Sequence, residues 1–327
     1  MEPYSSRGKM LIARGILEGI IKPSESLLRI ITACTTCGYC LYRCALHNID
    51  VIVSLRAELV RAGYVDPAHK TAAENILSFG NPYSRGFKKD LALPRKAETI
   101  FFAGCSYFHL VPEKLRVIEE ILLKMRNVGS LGVSEPCCGN VMLSTGQIDA
   151  FTSYGERVVK MFREAGVERI ITACPGCYET LYQEYPKFFD FDVEVQHITQ
   201  FLADEIEKGK VKVKRLDGVA TFHDPCHLAR YAGITEEPRL IIEATGMEIA
   251  EMEHNRMNTM CCGGGGGAPL AHPRITAKIA EKRVTEAINS GAGTIVTACP
   301  LCEYMLSRGI RRRKSTLKVL DITELVK

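Results

Sequence analysis

ETIFFAGC (residues 98–105) and GVATFHDPC (residues 218–226) each carry a short apolar run into a single cysteine. The same series of cysteines then comes after each. Behind Cys105 stand the adjacent pair Cys137-Cys138 with Gly139, then Cys174 and Cys177; behind Cys226 stand Cys261-Cys262 with Gly263, then Cys299 and Cys302. The lone cysteine precedes the pair by 32 positions in the first copy and 35 in the second, and the pair precedes the CxxC by 36 and 37. A five-cysteine pattern at matched spacing marks a duplicated unit, not scattered thiols.

Around these cysteines the pattern alternates. After the run at 98–104 the spacing predicts helices over 112–127 and 148–166, and ERIITA (168–173) reads as a strand entering Cys174. The second copy repeats the order, with a strand over 218–225, helices near 236–245 and 273–290, and the strand GTIVTA (293–298) entering Cys299. Pro175 and Pro300 stand where a helix can begin. Strands alternating with helices predict an α/β fold with a parallel sheet in each repeat. Ligands in such sheets gather beyond the carboxyl ends of the strands. Cys105, Cys174, Cys226 and Cys299 all fall there, so each set of five thiols can converge on one edge.

Upstream, residues 6–20 and 24–33 read as short amphipathic helices, with Ser24 or Ser26 as a cap, and 51–63 as a helix ended by Gly63. Between them lie Cys34, Cys37, Cys40 and Cys44 in the spacing C-x2-C-x2-C-x3-C. That is the ferredoxin-type iron–sulfur spacing, in which one short loop wraps a compact [4Fe–4S] cubane cluster. In two-cluster ferredoxins the fourth cysteine serves the other cluster, and here only one such motif is present. Cys44 therefore closes this cluster or reaches toward one that is missing. Ala45 replaces the usual proline, and 64–94 reads as a helical extension and a linker. The domain expectation is a small helical ferredoxin-like region over 1–94, a first α/β domain over 95–212 and a second over 213–327.

Composition narrows the classes. The 327 residues are 46% hydrophobic and 24% charged, as in a globular protein, with net charge +4. Residues 1–94 hold 12 Lys/Arg against 8 Asp/Glu and the rest is balanced at 30 against 30, so there is no basic patch of nucleic-acid size. The run Arg311, Arg312, Arg313, Lys314 reads as a solvated helix end. No apolar run approaches the ~20 residues of a membrane span, and the N-terminus lacks a signal-peptide core. The expected location is the cytoplasm, with any membrane link made through a partner subunit.

Fourteen cysteines without a secretion signal argue against a disulfide framework and for metal or redox chemistry. Structural zinc takes four ligands, one fewer than each repeat offers. A strand followed by Cys174-Pro175-Gly176-Cys177 and a helix fits a dithiol site, but leaves Cys105, Cys137 and Cys138 unexplained. An iron–sulfur centre with an unusual ligand set uses all five. Zinc and dithiol chemistry stay open at this point.

FAGC (102–105), PCCG (136–139), ACPGC (173–177), HDPCHL (223–228), MCCGGGGG (260–267) and ACPLC (298–302) resemble the CCG motif of the heterodisulfide reductase family, found in its B subunit and in the C-terminal part of its D subunit. The likeness covers residues 95–327, and SRGKMLIARGILEG (6–19) is similar to the segment between two ferredoxin motifs in D-subunit-like proteins. The resemblance implies a noncubane [4Fe–4S] cluster on each set of five cysteines, two in all, which bind and split a disulfide between them, beside one cubane cluster at Cys34, Cys37, Cys40 and Cys44. It implies an oxidoreductase subunit that reduces a small-molecule or protein-bound disulfide to two thiols. Partners would be flavin-containing, ferredoxin-type or cytochrome b-type redox subunits.

Two thiolates need protons, and His223 and His227, flanking Cys226, are the candidate donors, with His109 behind them. Their plainer role is to fix the loop by ring N–H bonds. The glycines at 263–267, and Gly139 in the first copy, are read as letting the backbone pass close to a cluster; a P-loop is excluded by the missing Lys-Ser/Thr, and no dinucleotide fingerprint is present. The competing functions are an electron-transfer subunit of a quinone- or flavoprotein-linked dehydrogenase and a zinc-stabilised interaction protein.

Overall fold

Strand β1 (Thr99–Phe102) pairs in parallel with β2 (Val128–Gly129) and with β3 (Arg169–Thr172), which pairs with β4 (Glu194–His197). The second repeat builds β5 (Val219–His223), β6 (Glu248–Ile249), β7 (Thr294–Thr297) and β8 (Lys318–Asp321) into the same arrangement. The orders are β2-β1-β3-β4 and β6-β5-β7-β8, so the duplication read from the cysteines is one of topology. The structure, a computed structural model, describes residues 2–44, 48–84, 90–125 and 127–327.

The central strands are buried on both faces, which is why they read as continuous apolar runs and not as alternating ones. Helices Pro112–Leu122 and Ile148–Glu164 make the crossovers of the first sheet, and Glu237–Thr245 and Pro273–Asn289 those of the second. Of the edge strands, β2 and β6 escaped the sequence reading because they are two residues long and carry no period. A short helix follows each lone cysteine, Cys105–Leu110 and Cys226–Ala232. The basic run closes helix Pro300–Arg313, exposed as expected, with Arg312 paired to Glu281.

One continuous core joins the two sheets, with Phe101, Ile170, Phe222 and Val296 all inside it. Tyr107, fully buried, donates its hydroxyl to Asp321 Oδ2 at 2.7 Å across the seam. Lys114 bridges Glu303 (3.1 Å) and Glu324 (2.7 Å) beside it.

Helices Ser6–Leu17, Glu25–Thr32 and Asn48–Arg61 enclose a separate small core around Ile31, Ile52 and Leu59. Ser24 caps the second of these, and the chain turns at Gly63 (φ +86°) after the third. Within 64–94 the helix is Pro67–Phe79, capped by Asp66. This N-terminal unit is seated on the second repeat by close backbone approach. A methyl on Gly265 would overlap the Thr35 carbonyl, and one on Gly266 (φ +63°) would lie 2.8 Å from the Cys34 carbonyl oxygen. The glycine run therefore admits a neighbouring loop, a use of glycine the sequence reading had assigned to a cluster.

Candidate metal centres

In the first repeat, Gly104 (φ +79°) turns the chain out of β1 so that Cys105 starts a helix. The buried Glu135 carboxyl accepts the Ala103 and Gly104 N–H groups at 2.9 and 2.7 Å, which fixes that turn. Burial raises Glu135 to about 8, against those two bonds. Cys105 Sγ lies 3.9 Å from Cys137 Sγ, and the Gly139 N–H points at Cys137 Sγ (3.4 Å). Thiol-to-thiol hydrogen bonds then run from Cys137 to Cys138, on to Cys177 and to Cys174. All five thiols thus converge.

The second repeat repeats this series as Cys226, Cys261, Cys262, Cys302 and Cys299. Cys262 Sγ and Cys302 Sγ are 3.2 Å apart, and the Gly263 N–H points at Cys261 Sγ (3.1 Å), the counterpart of Gly139. Hydrogen bonds from Cys261 and Cys302 pull the Cys262 thiol down to about 5, toward the thiolate form that binds metal. Thr259 stands where Glu135 stands in the first repeat, and its hydroxyl holds the Asp224 carbonyl at 3.0 Å. Asp224 in turn takes a two-pronged bond from Arg239 (2.9 and 3.0 Å), so the HDPC turn rests on a buried ion pair.

The N-terminal motif lies against this second site. Cys37 is raised chiefly by a hydrogen bond with Cys261, and Cys261 Sγ is 3.3 Å from Thr35 Oγ1. Arg230 donates to the Cys37 carbonyl (2.8 Å) and Tyr231 to that of Thr36 (2.7 Å). Cys34, Cys37 and Cys40 fall within electrostatic reach of one another. Cys44 is exposed at the end of helix Tyr39–Arg43, and Ala45 beyond it lies outside the described residues.

All ten repeat cysteines except Cys261 line one cavity of about 180 Å³ between the repeats, walled also by Tyr83, Leu270 and Leu301. A larger cleft of about 440 Å³ adjoins it, with Asn140 and His227 on both.

The two histidines differ. His223 Nδ1 accepts Arg283 Nε–H at 3.0 Å, and burial with the Arg283 charge drives its pKa down to about 3. Burial and the Arg283 charge thus favour the neutral ring at His223. The neutral ring carries its hydrogen on Nε2, and its nitrogen and the Cys262 and Cys302 sulfurs lie within 4.8 Å of one another. At His227 burial lowers the pKa, but the Glu179 carboxylate 3.6 Å from Nδ1 and nearby thiols leave it raised. His109 lies against Tyr83, with ring centroids 4.6 Å apart and the planes tilted by 35°.

These residues fit an anionic, sulfur-rich group. The cysteines are free thiols, ten of them held in two buried or half-buried sets. His223 Nε2–H, fully buried, finds no acceptor among the described residues, and an orphaned buried donor suits the acceptor of a bound group.

Fold and thiol sets define a duplicated, cysteine-rich, metal-binding α/β protein. The cysteine-rich domain family, CCG, matches residues 99–182 and 220–307. The D subunit of the dihydromethanophenazine:CoB–CoM heterodisulfide reductase of Methanosarcina barkeri is 32% identical over 315 residues, 90% of this chain and 76% of that one. The B subunit of the fumarate reductase (CoM/CoB) of Methanothermobacter marburgensis is 31% identical over 90% of this chain and 60% of its own length. A hypothetical protein from Helicobacter pylori, at 11% identity, shares the fold (TM-score 0.63) over 99% of this chain and 67% of that one. The chain belongs to the CCG family of the heterodisulfide reductase type, as an iron–sulfur oxidoreductase subunit of redox complexes. No helix among the described residues is long and apolar enough to cross a membrane.

Proposed function

We propose that the chain reduces a disulfide to two thiols, RSSR′ + 2 e⁻ + 2 H⁺ → RSH + R′SH, in the cavity between its repeats. The observation that carries this reading is that five thiols of the first set and four of the second line that one cavity. In this reading Cys105, Cys137, Cys138, Cys174 and Cys177 hold one noncubane [4Fe–4S] cluster, and Cys226, Cys261, Cys262, Cys299 and Cys302 hold the other. Cys34, Cys37 and Cys40, with Cys44, hold a cubane cluster. The clusters, when bound, supply one-electron transfer and an affinity for sulfur. The Cys37–Cys261 contact supports electron entry from the N-terminal region (1–94) into the second repeat (213–327), with the first (95–212) beyond it.

The chain's own residues do the rest. Gly139 and Gly263 donate backbone N–H groups to ligand sulfurs, which stabilises thiolate. His223 adds a neutral N–H beside Cys262 and Cys302. His227, on the wall of both cavities, holds a proton through Glu179 within reach of a leaving thiolate. Tyr83, Leu270 and Leu301 keep the inner cavity apolar, which strengthens charge interactions inside it. The partner disulfide of the relatives' names, CoB–CoM, is one member of the substrate class.

The test is metal and sulfide analysis of anaerobically purified protein, followed by disulfide reduction with a reduced viologen. About twelve irons per chain, from three four-iron clusters, with thiol release supports the reading. Twelve irons without thiol release or a substrate-dependent paramagnetic signal would leave an electron-relay subunit. Fewer than four irons would sink the clusters altogether.

A further inference from the structure

Two buried cations in the N-terminal unit have no acidic partner among the described residues. Arg56 is 1% exposed and donates only to carbonyls: Ile31 (2.9 Å), Cys34 (2.6 Å), Ser144 (2.5 Å) and Gly266 (2.9 Å). Its Nε finds no acceptor among the described residues. Lys9 is 5% exposed, and its ammonium donates to the Tyr4 carbonyl. Among the described residues neither forms an ion pair with a carboxylate. The other charged groups of the unit that pair do so at its surface, as Arg14 does with Glu18 and Arg61 with Glu58. Arg56 reaches the motif directly at the Cys34 carbonyl (2.6 Å), and Lys9 lies on helix Ser6–Leu17, whose Ile12 and Ala13 share one small core with Cys34 and Cys40.

A buried charge left unpaired is strongly destabilising, so a protein keeps one only where something compensates it. Arginine cannot escape by losing its proton. Among the described residues the carbonyls answer part of this charge, and the motif at Cys34, Cys37 and Cys40 is the candidate for the rest. Resting on the reading that this motif holds an iron–sulfur cluster, we propose that Arg56 and Lys9 are the fixed countercharge of that cluster and hold its reduction potential up. Reduction adds one negative charge to the centre. A positive charge fixed beside it, buried and poorly screened, favours the reduced form. Net charge around the sulfurs is one of the protein's levers on cluster potential. The two are positioning residues: neither needs to touch substrate.

Arg56 also has a plain mechanical role, since its carbonyl partners come from the N-terminal unit and from both repeats. The experiment separates the two. The full chain, with its metal centres, is titrated potentiometrically and followed by EPR, and the N-terminal signal is identified as the one missing from Cys37→Ala. Arg56→Met and Lys9→Met each lower the midpoint of that signal by a tenfold or greater change in the reduced-to-oxidised ratio, about 59 mV for one electron. Arg56→Lys keeps the charge, loses the two-pronged reach, and stays near the parent midpoint while melting lower. Lys9→Met bears the test if Arg56→Met does not fold, because Lys9 bridges nothing between units. An unchanged midpoint in the folded methionine variants overturns the countercharge. A Cys37→Ala protein that keeps every signal overturns the cluster reading beneath it instead.

Discussion

Replacing Arg239 by methionine isolates the ion pair under the second site. Asp224, fully buried, accepts from Arg239 Nη1 and Nη2 at 2.9 and 3.0 Å and from the Arg256 backbone N–H at 2.8 Å. The substitution keeps most of the side-chain volume over Phe222 and removes two charge-assisted bonds, leaving a carboxylate with one neutral donor. Breaking a buried pair from one side costs about 3–5 kcal/mol. The second acid on Arg239, Glu251, is part-exposed and adds only about 0–1 kcal/mol. The loss expected is therefore about 4 kcal/mol, and it falls on the turn that carries His223 and Cys226. The assay is denaturant unfolding of the metal-loaded chain, with iron content read alongside. Asp224→Asn in the Arg239→Met background removes the orphaned charge. It should restore about 2 kcal/mol, since an unsatisfied buried charge costs more than an amide. Equal stability of parent and Arg239→Met within about 1 kcal/mol, or strict additivity of the two changes, would refute the argument.

Gly266→Ala combines left-handed backbone with a methyl 2.8 Å from the Cys34 carbonyl oxygen, whereas Gly209→Ala at φ +69° meets nothing within 4 Å. Both carry the backbone cost of about 1–3 kcal/mol, but only the first should speed amide exchange across 34–38; equal exchange in the two variants would deny the docking role. His197 is buried and its pKa is driven down to about 3 by desolvation. The folded state holds the ring neutral while the unfolded chain protonates near 6.5. Stability is therefore full above about pH 6.5 and falls as the pH drops, by about 1.4 kcal/mol per unit. His197→Asn, which keeps a side-chain acceptor for the Thr199 N–H now bound at 3.3 Å, should be about 2 kcal/mol less acid-sensitive between about pH 6.5 and pH 5; parallel losses in both proteins would contradict this.

The duplication, the α/β class and the strand-end position of Cys105, Cys174, Cys226 and Cys299 were legible in the sequence. Local rules set them: apolar runs of strand length, proline at a first helical turn, and cysteines at matched spacing. The order of the strands was not legible, because β2 and β6 are held by pairing with their neighbours and by nothing in their own two residues. The histidines looked alike for the same reason. Close together in HDPCHL, they part only in space, where burial and Arg283, 60 positions on, push the His223 pKa down, and Glu179, from the other repeat, pushes that of His227 up. The glycines at 263–267 showed that something comes close, and only the packed chain shows that it is the loop at Cys34–Thr36. Residue type and spacing are properties of the chain itself, and they determined which atoms could bind metal. Charge state, facing and proximity depend on desolvation and on neighbours remote in sequence, and those only the tertiary structure decided.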